Sequence, residues 1–113
     1  MFALLICLAA GIRPIITSSS DKKLEDIRKL GSDVRTINYK TVSDQLSEVK
    51  RLTDGKGVDF VINNSGPASV PEDISFLRQR GGLVSLVGFL AGTNGDWQPN
   101  AIMALMFKSA RLK

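Results

Sequence analysis

Histidine is absent from this 113-residue chain, and cysteine occurs once, at Cys7. Without histidine there is no imidazole base and no Ser-His-Asp relay. A single cysteine permits no disulfide within the chain. Together the two shortages exclude a zinc site built from several Cys or His ligands, so no zinc is expected on this chain. Cys7 lies in an apolar run, where a buried, inert thiol is expected. Aromatic residues make up only 6%, and they are not interleaved with the 15 basic residues. The net charge of +4 therefore reads as solvated helix faces. A nucleic-acid partner would call for clustered cations, and none is expected. No apolar run reaches the roughly 20 residues that cross a bilayer, so no membrane partner is expected either.

What is present is ordinary for one small globular domain: 43% hydrophobic and 23% charged residues. The run Met1–Gly11 has the apolar centre and small residues of a signal peptide but lacks a basic start. Ile12-Arg13-Pro14-Ile15-Ile16 follows it without a linker. The run therefore reads as a buried helix stopped by Gly11, with a strand over Ile12–Thr17. Beyond it the chain alternates. Leu24, Ile27 and Leu30 fall at helical spacing before Gly31. Val34–Tyr39 reads as a strand. Ser43 is positioned to cap a helix burying Leu46, Val49 and Leu52. Val58–Ile62 reads as a buried strand. Ser69-Val70-Pro71-Glu72 has the capping-box pattern for a helix that turns Ile74 and Leu77 inward and ends at Gly81-Gly82. Leu83–Val87 reads as another buried strand. A loop to Pro99, a helix over Asn100–Phe107 and a last strand starting near Ala110 complete the pattern. Short apolar strands joined by amphipathic helices predict an α/β fold, with a doubly wound parallel sheet covered on both faces.

The stretch Ser18-Ser19-Ser20-Asp21-Lys22-Lys23 stands where a strand ends and a helix begins. In such folds the adenosine ribose of a dinucleotide sits there. Hydroxyls and lysines in place of an acidic residue suit a ribose carrying a 2′-phosphate. The alternative is an ordinary N-capped helix.

Several segments occur in the order, and at the spacing, of one family. They are Phe2-Ala3-Leu4-Leu5 with Ala9-Ala10-Gly11, Thr17–Leu24, Leu30-Gly31-Ser32-Asp33, Ile37-Asn38-Tyr39, Leu52–Asp59 and Gly81–Gly88. Jointly they resemble the cofactor-binding domain of the medium-chain dehydrogenase/reductase superfamily, the zinc-type alcohol dehydrogenase and quinone oxidoreductase group. Ser18–Leu24 and Gly82–Gly92 are similar to its fungal quinone-reductase-like branch. The resemblance implies a Rossmann-like fold over residues 1–113 with no second domain. It also implies an NADP cofactor and hydride transfer to a carbonyl, quinone or activated alkene. In the family a glycine-rich phosphate turn joins the first strand to the first helix, and this chain begins inside that helix. Its Gly55-Lys56-Gly57 precedes a strand, and Phe60 stands at the third glycine position. The first strand, the glycine-rich turn and the catalytic domain are thus expected to be missing. The chain is expected to be a fragment, inactive alone, with a non-catalytic remnant or interaction domain as the alternative.

By the same resemblance Ser18 and Lys23, helped by Ser19 and Lys22, would meet the adenosine ribose and its phosphate, with Tyr39 beside them. Asn64, Ser65, Val87, Gly88 and Phe89 follow the carboxyl ends of two strands, where such folds bind ligands. Tyr39 could equally be a surface aromatic, Asn63–Gly66 only a turn, and Gly88 only a backbone requirement. No residue qualifies as catalytic. Asn63-Asn64-Ser65-Gly66 is also similar to the N-N-A-G signature of short-chain dehydrogenases. That family needs a later Tyr-x-x-x-Lys, and the only tyrosine is Tyr39. Strand edges left open at Ile15-Ile16 and Phe60-Val61-Ile62 predict self-association. The resemblance implies a cytoplasmic protein, with a mitochondrial parent left open.

Overall fold

The apolar amino-terminal run forms helix α1 (Phe2–Ala10) in the computed structural model, which describes residues 2–90, 92, 94 and 99–113, without the side chains of 99 and 100. The helix closes in a Schellman cap. Gly11, at φ +73°, donates its N–H to Leu8 O (3.4 Å), and Ile12 N–H reaches Cys7 O (2.8 Å). Ile12 is thereby used by the cap, and Pro14 has no N–H to give a ladder. Strand β1 consequently runs Ile15–Ser18 and does not start at Ile12. The expectation of a buried helix is also corrected. Leu4 is buried, but Phe2 (79% exposed), Leu5 and Ile6 are open, and Cys7 is half-buried. A helix that is apolar all round can bury only the side that meets a neighbour.

The chain divides into two compact units, Met1–Glu48 and Val49–Lys113. The reason lies in the ladders. In the first unit β1 pairs in parallel with β2 (Arg35–Asn38), Ser18 standing opposite Asn38. In the second, β3 (Phe60–Asn63) pairs with β4 (Leu83–Leu86), which pairs with β5 (Arg111–Leu112), all parallel. Among the described residues no hydrogen-bonded ladder joins the two sheets.

In the first unit helix α2 (Asp21–Arg28) packs on both strands and buries Leu24. Leu30 lies beyond the helix and is exposed, contrary to the expected spacing. Gly31 is not in the left-handed region. Its smallness instead makes room for Leu8, whose Cδ2 would stand 3.1 Å from an added Cβ. Asp44, and not Ser43, begins helix α3 (Gln45–Leu52). Its carboxylate accepts from Ser47 N–H (3.1 Å) and Ser47 Oγ–H (2.6 Å), which holds its pKa below the ordinary value. Helix α3 crosses the boundary between the units: Val49 is buried and Leu52 half-buried on the second unit's side, and Leu46, on the first unit's side, is exposed.

In the second unit a 3-10 turn (Pro67–Ser69) leads into helix α4 (Val70–Phe76). The predicted capping box does not form: Ser69 caps nothing through its side chain, because its hydroxyl is turned to Asn63. The helix stops well before Gly81. Leu77 turns to extended backbone and bridges Val58 in parallel, with Val58 N–H on Phe76 O and Arg78 N–H on Val58 O (both 2.9 Å). Lys108 Nζ donates to the carbonyls of Ile74, Ser75 and Leu77 at 2.9–3.1 Å and satisfies the helix end. Burial, with Lys50 nearby, holds the Lys108 ammonium below its usual lysine value. Helices α4 and α5 (Pro99–Phe107) pack together, and Val70, Ile74, Leu77, Val84 and Ala101 form the core with Val61 and Leu86. Each fully buried aliphatic side chain contributes about 1.5–3 kcal/mol. Both helices serve the sheet face that carries Val61 and Val84. The other face leaves Phe60 (59%) and Ile62 (51%) exposed, so β3 is not the buried strand the sequence predicts. Strand β4 likewise ends at Leu86, with Val87 exposed beyond it. The predicted loop before Pro99 falls largely on residues 91, 93 and 95–98, outside the described residues.

Candidate functional site

The carboxyl end of β1 is organised by its hydroxyls. Ser18, its last residue, accepts the Ser20 N–H on Oγ (3.2 Å). Ser20 is extended (φ −116°, ψ 114°) and caps α2, its Oγ accepting from Lys23 N–H (3.4 Å). The capping role anticipated as the alternative reading therefore falls to Ser20. Ser19, Lys22 and Lys23 remain exposed. Tyr39 joins this group by its backbone, donating N–H to Ser18 O (3.2 Å), with its ring about half exposed.

Asn38, which motif reading passes over, holds the arrangement together. It is buried, its Nδ2 donates to Asp21 Oδ1 (2.8 Å) and Ser19 O (3.5 Å), and its Oδ1 accepts from Lys40 N–H (3.0 Å). The one acid in the Ser-Lys stretch is thus engaged by a neutral amide. An open depression of about 410 Å³ lies against Lys23, Asp26, Ile27 and Leu30 and shares only Lys23 with the predicted set.

In the second unit the structure brings the other predicted residues together at the carboxyl ends of β3 and β4. Val87 N–H donates to Asn63 O (2.8 Å) and Leu90 N–H to Asn64 O (3.1 Å), so the two loops run side by side beyond the strands. The approach is close. A Cβ on Gly88 would stand 2.9 Å from Asn64 O, which makes glycine a packing requirement there. Gly66, at φ +132° and ψ −176°, occupies a region essentially closed to other residues, and a Cβ on it would meet Gly92 O at 2.5 Å. Asn64, Ser65, Val87 and Phe89 are exposed at this end.

Behind the loop lies a buried polar cluster that no motif announces. Asn63 Oδ1 accepts the N–H groups of Ser65 (2.8 Å) and Gly66 (2.9 Å). Its Nδ2 faces Gly66 O (3.1 Å), Ser69 Oγ (2.9 Å) and the Asp73 carboxylate. Burial pushes the Asp73 carboxyl up to about 6. The Asn63 bond opposes that shift, Glu72 adds to it, and Ser69 opposes it. The readable signal was an amide ending a strand, with an acid one helical turn into the following helix. A second depression, of about 340 Å³, is lined by Lys50, Gly55, Lys56, Arg78 and Gln79 and contains no predicted site residue.

These two loop clusters stand at the carboxyl ends of parallel strands. Over residues 1–113 the sequence matches the zinc-binding dehydrogenase family. The chain belongs to that family, within the medium-chain dehydrogenase/reductase superfamily. It is 42% identical over 90 residues to a zinc-type alcohol dehydrogenase-like protein of Schizosaccharomyces pombe, covering 80% of this chain and 25% of that protein. Its fold superposes on a Pseudomonas syringae quinone oxidoreductase with a TM-score of 0.82 and 26% identity, over 98% of this chain and 33% of the other. It superposes on a mycobacterial protein complexed with NADPH with a TM-score of 0.76 and 27% identity, over 95% of this chain and 32% of the other. The chain thus spans about a quarter to a third of the length of these relatives. The Rossmann-like α/β class expected from sequence is the class observed.

The family name implies zinc. Among the described residues no three His, Cys, Asp or Glu side chains come together in a group that could hold a metal ion. Among the same residues no helix is long and apolar enough to cross a membrane.

Proposed function

We propose that the chain is part of the dinucleotide-binding domain of an NADPH-dependent oxidoreductase that transfers hydride to a carbonyl, quinone or activated alkene. The observation that carries this reading is the end of β1. There Ser19, Lys22 and Lys23 are exposed beside Ser18, and the Asp21 carboxylate is engaged by Asn38. Two ammonium groups and the exposed Ser19 hydroxyl are a donor set for a phosphate monoester, and a charge-assisted bond to such a group is worth about 1.5–3 kcal/mol. Lys22 and Lys23 would hold the 2′-phosphate, Ser18 and Ser19 the ribose, and Tyr39 would flank it. The carboxyl-end loops with Asn64, Ser65, Val87, Gly88 and Phe89 would contact the same class of cofactor. Support also comes from the NADPH-complexed relative and from the quinone oxidoreductase likeness.

The cofactor, when bound, supplies the hydride. This chain's residues bind and orient it. In this reading none of them acts as acid or base on a substrate, and the chain alone is expected to turn nothing over. The test is a fluorescence titration of the purified chain with NADPH, alongside NADPH consumption with a panel of quinones and enones. Saturable binding without turnover is expected. Absence of binding would favour a non-catalytic remnant, a reading that the open edge of β3 and the exposed Phe60 and Ile62 also suit. Turnover above background would overturn the claim that the chain is inactive alone.

A further inference from the structure

We propose that Asp73 is a positioning residue for the Asn64–Ser65–Gly66 loop, acting through the side-chain amide of Asn63 and by virtue of its negative charge. The loop's significance as a cofactor contact rests on the function proposed above; the positioning itself does not.

The argument begins with Asn63. An amide side chain has one acceptor end and one donor end, and which way it faces is set by its partners. Here both backbone N–H groups of the turn, from Ser65 and Gly66, converge on Oδ1. The turn keeps its shape only while Oδ1 faces it. Rotating the amide by half a turn would set Nδ2 against two N–H donors. What holds the amide is the opposite end. Nδ2 carries two hydrogens and finds three acceptors: Gly66 O, Ser69 Oγ and the Asp73 carboxylate. Two of them are neutral. The Ser69 hydroxyl has a further partner in Gly66 O (3.3 Å), so it is shared. Only Asp73 offers a charge, and a bond to an ionised acceptor is roughly twice as strong as a neutral one.

The surroundings leave that charge to two neutral groups, Asn63 and, more weakly, Ser69. Asp73 is 8% exposed and Asn63 4%. From β3 the group facing Asp73 is the neutral Asn63; from the 3-10 turn it is the neutral Ser69. On α4 itself the neighbouring charge is Glu72, of the same sign. From the segment after α5, the Lys108 ammonium is engaged by the carbonyls of Ile74, Ser75 and Leu77 at the far end of α4. Arg78 pairs with Asp59 (2.8 Å). Among the described residues no cation is bonded to Asp73. Its ionisation and the Asn63 bond are therefore linked: the bond favours the ionised carboxyl, so by reciprocity ionisation favours the bond. Protonation weakens the hold on Nδ2, and with it the clamp of Oδ1 on the turn. Gly66, packed against Gly92 O, is the residue through which that change reaches the neighbouring loop.

The test is nuclear magnetic resonance of the full chain between pH 4.5 and 8. It follows the Asp73 carboxyl carbon and the backbone amides of Ser65 and Gly66. All three are expected to titrate with one shared midpoint, near 6. In Asp73→Asn the amide titration should vanish, and in Asp73→Glu it should return with a displaced midpoint. The wild-type comparison needs no variant to fold. Amides of Ser65 and Gly66 that stay fixed while the Asp73 carbon titrates would overturn the proposal, as would an unchanged titration in Asp73→Asn. NADPH added in a separate arm reports on the cofactor reading alone. If Asn64 and Ser65 do not respond to it, that reading fails at this loop while the Asp73 pair stands.

Discussion

Gly66→Ala separates backbone strain from loop packing in the second unit. Gly66 sits at φ +132°, ψ −176°, where any residue with a Cβ is strained by about 1–3 kcal/mol. The added methyl would also lie 2.5 Å from the carbonyl oxygen of Gly92, a backbone atom that cannot swing aside as a side chain would. Forcing such an overlap costs about a further 1–3 kcal/mol. The sum, about 2–6 kcal/mol, is a large share of the roughly 5–15 kcal/mol that holds a typical domain. Gly81→Ala is the control. Gly81 also has positive φ (+84°), but nothing lies within 4 Å of its Cβ position, so only the left-handed penalty of about 1–2 kcal/mol applies. Urea unfolding followed by circular dichroism gives the global cost. Hydrogen exchange at the amides of residues 65 and 66, which both bond to Asn63 Oδ1, gives the local one. Gly66→Ala should lower the midpoint well below that of Gly81→Ala and strip protection from both amides. Equal midpoints and unchanged protection would refute the account of how the two loops pack.

Three further outcomes are expected. The Asp73 carboxyl is raised from 3.8 to about 6, so the folded state holds the extra proton between these values. At about 1.4 kcal/mol per unit, this group makes the fold less stable by about 3 kcal/mol as pH rises from 4 to 7. Denaturation across that range should show the decline in wild type relative to a flatter Asp73→Asn; a parallel pair of curves would contradict it. Lys108→Met removes three charge-assisted bonds from the end of α4 and should cost about 1–3 kcal/mol by urea unfolding. No loss would mean that water replaces the ammonium there. The unpaired edge of β3, with Phe60 and Ile62 exposed, should give dye binding and a sedimentation coefficient that grows with concentration. A concentration-independent monomer without dye binding would contradict this.

The alternation of strands and helices was legible because each depends on local periodicity. Leu24, Val49, Ile74 and Leu77 declared their faces and occupy them or lie next to the core. What failed depended on partners the sequence does not display. Phe60 and Ile62 are as apolar as buried strand residues, yet the helices lie on the other face of their sheet. Ser69 carries the sequence of a cap, but the neighbouring Asn63 claims its hydroxyl. Asp44 outcompetes Ser43 because a carboxylate accepts two bonds from Ser47. The candidate site was legible where chemistry is exposed, at Ser18–Lys23 and Asn64–Ser65. It was not legible where an uncharged amide does the organising: Asn38 and Asn63 look like ordinary strand ends until their bonds to Asp21 and Asp73 are seen.

The central claim, that the end of β1 selects a 2′-phosphate, is tested most directly by calorimetric titration of the chain and its Ser18→Asp variant with NADPH and NADH. Wild type is expected to favour NADPH, and the variant, with a carboxylate placed against the phosphate, to reverse the preference. A ratio of affinities that is the same in both proteins would contradict it.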